Sequence, residues 1–328
     1  MMKLSIVLSF ICLANTLIVS VLLDDVSAKD DALESEISKS SKTEVDFSLC
    51  YDFVTLEKTS GILLRVNIPK SIPDRQRILA IKYSREPSRV FSKNGNNYAE
   101  FIFERPQRQV KVEISIRADI FRYDLAQAEM QSQKNLPKNP SLKEYLKQER
   151  MIEKEHREIK QIAEGILGQS EVAIVQNIYE YVIENMEPDI SKLKGAGALK
   201  AAQTKRGKCI DYCDLFVALC RAKSIPARVV GGYKTEFSVC PKHSWAEVYL
   251  QKYGWIPFDL TFGENVPAEI RKSRFRNLKP MYIYFTNIRN DKVLHNCYTH
   301  YYGCKGGRIE LEHSVIFRQP IKRIYKGP

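Results

Sequence analysis

Two hydrophobic periodicities divide the chain. Val45, Phe47, Leu49, Tyr51 and Phe53 stand at every second position, and strand-like runs follow at 61–68, 76–83, 98–104 and 109–116. A period of two places one face of a strand in a core and the other in solvent. The stretch from Pro69 to Pro73 and the tetrapeptide Asn94-Gly95-Asn96-Asn97 supply turn chemistry between these runs. Five strands without an intervening helix predict a small antiparallel β-sandwich over residues 45–125. From Ser141 the period lengthens. Ser141 and Glu144 have the spacing of a capping box, and Tyr145, Ile152, Ile159, Ile162 and Ile166 form a stripe that predicts a helix. A second helix is expected from Ser170, carrying Val172, Ile174, Val175, Ile178, Tyr179, Val182 and Ile183 before Pro188.

A short helix over 198–203 leads to Gly207-Lys208-Cys209, a turn that feeds straight into an amphipathic helix ending before Pro226. Residues 227–233 then read as a buried strand. Residues 243–250 and 255–261 flank a tight turn at 251–254 and predict a hairpin. The partition is therefore 1–28, 29–44, 45–125 and 126–328. The first is an apolar leader, the second a polar linker rich in charge, the third the sandwich and the fourth an α+β domain.

In residues 1–28 a single Lys3 precedes an apolar run from 4 to 23, and Val26-Ser27-Ala28 offers the small residues of a cleavage site. That is the form of an export signal. The run is also nearly long enough to span a bilayer, so an uncleaved N-terminal membrane anchor is the alternative. Lys3 before the run and Asp24-Asp25 after it keep the N-terminus inside in either case. The bulk of the chain is then expected outside the cytoplasm: periplasmic, secreted, or held on the outer side of the cytoplasmic membrane.

Composition narrows the class only a little. The 328 residues leave room for two domains, and 27% charged with 10% aromatic residues argues against a polytopic membrane protein or a disordered chain. Losing Lys3, Asp24 and Asp25 with the leader raises the net charge from +12 to +13. Outside the cell such charge reads first as an ordinary solvated surface, and otherwise as attraction to the anionic cell surface or to acidic polymers. The basic residues show no RNA-binding aromatic signature and no zinc-finger spacing, so nucleic acid is not an expected partner.

The informative window runs from Arg206 to Glu264. Cys209 stands at the start of a helix, where free backbone N–H groups and the dipole favour the thiolate. His243 and Asp259 fall on neighbouring strands of the predicted hairpin. A thiol whose proton can pass to a histidine, with a carboxylate orienting that histidine, is the generalised nucleophilic triad. Cys213 and Cys220 share nearly the same helix angle as Cys209 and read as core thiols. The cysteines lack a C-x-x-C pair, so no metal site is expected. Six cysteines remain that could pair, with Cys297–Cys304 the first pair to test. Gln203, six residues before the thiol, is a candidate oxyanion donor beside the Cys209 backbone N–H. No calcium loop is present in the sequence and no cofactor is expected.

These stretches resemble the transglutaminase-like superfamily. The resemblance is carried by Gly207-Lys208-Cys209 through Tyr233, including Arg221-Ala222 and Ile225-Pro226-Ala227-Arg228, by His243-Ser244-Trp245, and by Gly254-Trp255 through Asp259-Leu260-Thr261. It is dense over residues 170–265. Ser224 departs from the usual glycine before Ile-Pro, and Cys213 and Cys220 replace commoner small or apolar residues. The resemblance implies a papain-like transglutaminase core, a helical half plus an antiparallel sheet, preceded by the β-domain seen in bacterial secreted members. It implies a thioester route to an amide or peptide substrate, with hydrolysis the expected outcome. Cross-linking through a glutamine side chain, and a non-catalytic surface binding or assembly module, are the alternatives.

Overall fold

The computed structural model describes residues 41–125, 142–189, 191, 195–236, 242–261, 274–275, 277–318 and 322–324. The expected leader, most of the expected linker, Ser141 and Cys240 lie outside them. Six strands of five or more residues come first: β1 (Lys42–Thr55), β2 (Gly61–Ile68), β3 (Gln76–Tyr83), β4 (Arg89–Lys93), β5 (Asn96–Glu104) and β6 (Gln109–Phe121). Four helices follow: α1 (Arg157–Gly165), α2 (Glu171–Asn185), α3 (Ala198–Thr204) and α4 (Cys209–Ala222). Then come β7 (Ala227–Lys234), β8 (Lys242–Leu250), β9 (Gly254–Phe258), β10 (Tyr282–Thr286), β11 (His300–Lys305) and β12 (Ile309–Phe317). Among the described residues no helix is long and apolar enough to cross a membrane.

The alternation read from the sequence is the alternation of the sandwich. Its two sheets run β12-β1-β6-β3 and β11-β2-β5-β4, antiparallel throughout. Phe47, Leu49 and Phe53 of β1 and Ile114, Ile116 and Ile120 of β6 meet Leu64, Val66 and Phe101 of the facing sheet. β4 was not expected, because it is short and buries none of its residues. It closes on β5 through Asn94 and Gly95, whose φ angles of 53° and 83° give the primed turn that matches strand twist.

The expected fourth segment, 126–328, also supplies strands to the sandwich. β11 and β12 return to the sandwich, with Tyr302 opposite Leu64 and Phe317 opposite Phe47. β1 and β2 would otherwise be sheet edges with unpaired backbone groups, and the returning strands cover them. β1 itself begins at Lys42, inside the expected linker.

The single helix expected from Ser141 is also replaced. Leu142–Leu146 is one 3-10 turn, Met151 takes a left-handed φ of 72°, and α1 begins only at Arg157. Tertiary bonds explain the break. Arg221 draws the Lys147 carbonyl and the Glu149 carboxylate toward α4, and the Met151 carbonyl accepts from Ala198 N–H. His156 then caps α1, its Nδ1 accepting from Glu158 N–H at 3.3 Å. The helix expected from Ser170 is α2, with Ser170 as its N-cap.

The third sheet, β9-β8-β7-β10, packs against α4 and α2 in a separate core. β10 fastens the two halves. Ile283 and Phe285 enter the sandwich core, where Phe285 lies 4.9 Å from the Tyr233 ring and 6.3 Å from Phe47. Gln76 of β3 pairs both its amide groups with the Tyr284 backbone at 2.7 and 2.8 Å. The described cysteines Cys50, Cys209, Cys213, Cys220, Cys297 and Cys304 are free thiols, so the Cys297–Cys304 pairing is not formed. Truncating Phe285 to Ala removes the ring shared by both halves. It is expected to lower stability by about 3–5 kcal/mol in urea unfolding, as for other buried aromatics.

Candidate active site

Cys209 is presented by a helix start that is held on both sides. Asp211, buried in the first turn, accepts from Lys208 N–H at 2.9 Å and from Ala196 N–H at 2.6 Å. One carboxylate thus pins the helix to the loop that precedes α3. Gly207 must be glycine for this, because a Cβ there would lie 2.5 Å from that of Asp211. Farther along, Arg289 holds Asp214 with two bonds of 2.7 and 2.9 Å. Every residue from Asp211 to Arg221 is buried, while Cys209 itself is half-buried. The sulfur therefore sits at the rim of a rigid element rather than inside it.

The hairpin brings up the other two groups. β8 pairs with β9 in the register Ala246 opposite Phe258, and Asp259 follows directly. His243 opens β8 opposite Gly232, where a Cβ would strike the Ile283 carbonyl at 1.8 Å. His243 Nε2 donates to Asp259 Oδ2 at 2.9 Å, and His243 and Cys209 each favour the charged form of the other. The Trp245 ring lies nearly parallel to the imidazole, 6.3 Å away.

Asp259 is buried and heavily bonded. Tyr282 Oη donates to Oδ2 at 2.6 Å, and Thr261 donates to Oδ1 from its backbone N–H at 3.1 Å and its hydroxyl at 3.0 Å. Lys234, itself buried, stands 3.7 Å from Oδ2 and 3.1 Å from Glu236. Burial alone would push this carboxyl up; His243, Lys234 and the hydrogen bonds outweigh it and hold it far below the usual range. The same balance acts on His243. Burial lowers its pKa, but the Asp259 charge and hydrogen bond, with Cys209, raise it to about 9. Burial pushes the Cys209 thiol up, yet His243 and two bonds from Ser244 bring it below its ordinary value. Each group thus favours the charged form of the other, thiolate beside imidazolium. Such a sulfur can attack an electrophilic carbonyl and has a proton donor beside it.

Gln203 does not join this cluster. It is exposed on α3 and donates to Glu158 at 3.0 Å. Cys213 and Cys220 lie buried on α4, and burial pushes the Cys220 thiol above its usual range. Four neighbours of the cluster were missed from sequence: Lys234, Ser244, Tyr282 and Tyr298. A lysine closing the apolar run 227–233 was the one visible signal. Among the described residues no three His, Cys, Asp or Glu side chains converge to hold a metal.

Comparison with known proteins places this arrangement. Residues 160–260 match the transglutaminase-like superfamily, a span holding Cys209, His243 and Asp259. The chain contains a transglutaminase-like domain. A crystal structure of a candidate cysteine protease from Cytophaga hutchinsonii superposes with a TM-score of 0.57, at 17% identity over 88% of this chain and 95% of that one. It shares the α+β fold. The uncharacterised protein YebA of Bacillus subtilis strain 168 is 34% identical over 22% of this chain, but the match spans only 12% of YebA. An uncharacterised protein of Haemophilus influenzae strain Rd is 25% identical over 71% of each chain.

Within the transglutaminase-like domain, Lys234 and Asp259 act on His243 in opposite directions. Lys234→Met removes a charge that competes for Asp259, so the His243 pKa should rise above its value of about 9. Asp259→Asn removes the largest cause that raises it, so it should fall below about 9. Titration of the imidazole C–H signals by NMR reads both. Because the folded pKa is raised, the stability His243 contributes is complete below pH 6.5 and is lost as pH rises through about 9. Thermal melting across that window should show the decline, and Asp259→Asn should flatten it.

Proposed function

We propose that this protein is an exported thiol enzyme that hydrolyses amide or peptide bonds through a thioester on Cys209. The observation that carries the reading is the convergence of Cys209, at the start of a buried helix, with His243 on β8, whose imidazole is held by the buried Asp259 at 2.9 Å. In this scheme the Cys209 thiolate attacks the carbonyl carbon. Backbone N–H groups at the α4 terminus, that of Cys209 first, hold the developing oxyanion. His243 gives its proton to the departing amine, and the neutral imidazole then takes a proton from water as water opens the thioester. Asp259 keeps the ring oriented through Nε2 and balances the imidazolium charge.

Hydrolysis is preferred over transfer to a lysine amine because water needs no acceptor site. The Cytophaga hutchinsonii structure, named as a candidate cysteine protease, agrees with this choice at the level of fold. A protein or peptide substrate within the cell envelope fits the expected export of the chain and its net charge, +12 with the leader and +13 without it.

Incubation with a peptide library, with and without a primary amine, tests the reaction class. New peptide termini that vanish in Cys209→Ala are the expected result. Ammonia release with amine incorporation and no cleavage would make the protein a cross-linker. No turnover, together with a thiol that alkylates no faster than free cysteine, would make the fold a binding module.

A further inference from the structure

The segment between β10 and β11 delivers Tyr298 to the site through a slot made by a missing side chain. A Cβ on Gly231 would lie 1.9 Å from Tyr298 Cζ and 2.1 Å from its hydroxyl. Only glycine at this position of β7 admits the ring. The Tyr298 hydroxyl donates to the Val230 carbonyl at 2.9 Å and lies 3.0 Å from Ser244 Oγ. Strand register sets Ser244 directly opposite Gly231, so the slot opens onto that serine. Ser244 is buried, follows His243, and lies close enough to Cys209 that its backbone N–H and its hydroxyl both favour the thiolate. The Lys242 ammonium stands 5.0 Å from the centre of the Tyr298 ring.

Counting protons limits what this chain of hydroxyls can do. The Val230 carbonyl can only accept, and Tyr298 and Ser244 have one hydroxyl proton each. In one arrangement Tyr298 donates to Val230 and Ser244 donates to Tyr298, which turns a serine lone pair toward the sulfur. In the other, Tyr298 donates to Ser244 and Ser244 donates to Cys209. A negative sulfur favours the second arrangement, since bonds to a charged acceptor are the stronger ones. An acylated, neutral sulfur favours the first.

The geometry points to Tyr298 as a positioning residue that acts through Ser244, supplying a hydroxyl proton to the Cys209 thiolate and withdrawing it when the sulfur is acylated. This deepens the reading of Cys209 as nucleophile and rests on it. The Val230 carbonyl serves as the alternative acceptor that holds the phenol in place between the two arrangements. Tyr298 reaches no reacting atom itself, so its effect must pass through the serine.

The test is the pH dependence of Cys209 alkylation by iodoacetamide in the full chain, followed site-specifically by mass spectrometry. Ser244→Ala and Tyr298→Phe should each raise the thiol pKa and slow alkylation at mildly acidic pH, the serine variant by about tenfold, the worth of one bond to a charged group. The double variant should match Ser244→Ala alone, and Ser244→Thr, which keeps the hydroxyl, should restore the wild-type profile. Phenylalanine keeps the ring in its slot, and thermal melting checks that each variant is folded. An unchanged profile in Tyr298→Phe, or the same loss in the presence and absence of the Ser244 hydroxyl, overturns the role of Tyr298. A wild-type thiol as slow as free cysteine overturns the nucleophile reading together with it.

Discussion

A buried carboxylate must be matched by charge and hydrogen bonds or it destabilises the fold that encloses it. Asp259 is that group here, and its partners explain much of the local architecture. His243 comes from β8, Lys234 from the end of β7, Tyr282 from the start of β10, and Thr261 from the residues just beyond β9. Every strand of the third sheet therefore contributes to, or leads directly into, the environment of one side chain. Tyr179 of α2 adds a bond to the Asp259 backbone carbonyl at 3.3 Å, which ties the helical layer to the same point. The imidazole is oriented as a consequence, with one nitrogen committed to the carboxylate and the other directed to the thiol. Cys209 needs no comparable network, because the helix start is already fixed by Asp211 and by the Asp214–Arg289 pair.

The sandwich is part of this arrangement rather than an appendage. The chain leaves the third sheet at β10, passes Arg289 and Tyr298, and ends in strands that complete both sheets of the sandwich. Asp291, on the way, accepts from Tyr98 Oη of β5 at 2.7 Å. The same stretch thus anchors in the β-domain, holds the body of α4, and carries a phenol to the serine beside the thiol. Movement of the sandwich relative to the third sheet would be felt at Cys209 through these few residues. Core packing across Phe47, Tyr233, Ile283 and Phe285 resists that movement.

Legibility from sequence follows the range of the interactions concerned. Strands β1, β2 and β6 were readable because one buried face enforces strict alternation; β4 was not, since no residue of it is buried. Cys209, His243 and Asp259 could be named because helix start, strand and hairpin are local patterns. Gln203 failed because spacing along the chain says nothing about direction: α3 ends at Lys205 in a left-handed conformation, and the glutamine stays on the solvent side with Glu158. The stripe from Tyr145 to Ile166 suggested one helix, but Arg221, far away in sequence, claims the backbone and carboxylate that the helix would need. Lys234, Tyr282 and Tyr298 reach the site only through tertiary pairing, and the return of β11 and β12 is likewise invisible to local pattern.

The central claim is that Cys209 and His243 share their proton as an ion pair held by Asp259. Far-ultraviolet thiolate absorbance, taken as the difference between the wild type and Cys209→Ser across the pH range, measures it directly. The account predicts a thiolate signal that arises below the ordinary cysteine pKa of 9.0 and moves up in His243→Ala. A signal that appears only at or above that ordinary value, and is indifferent to His243, would contradict it.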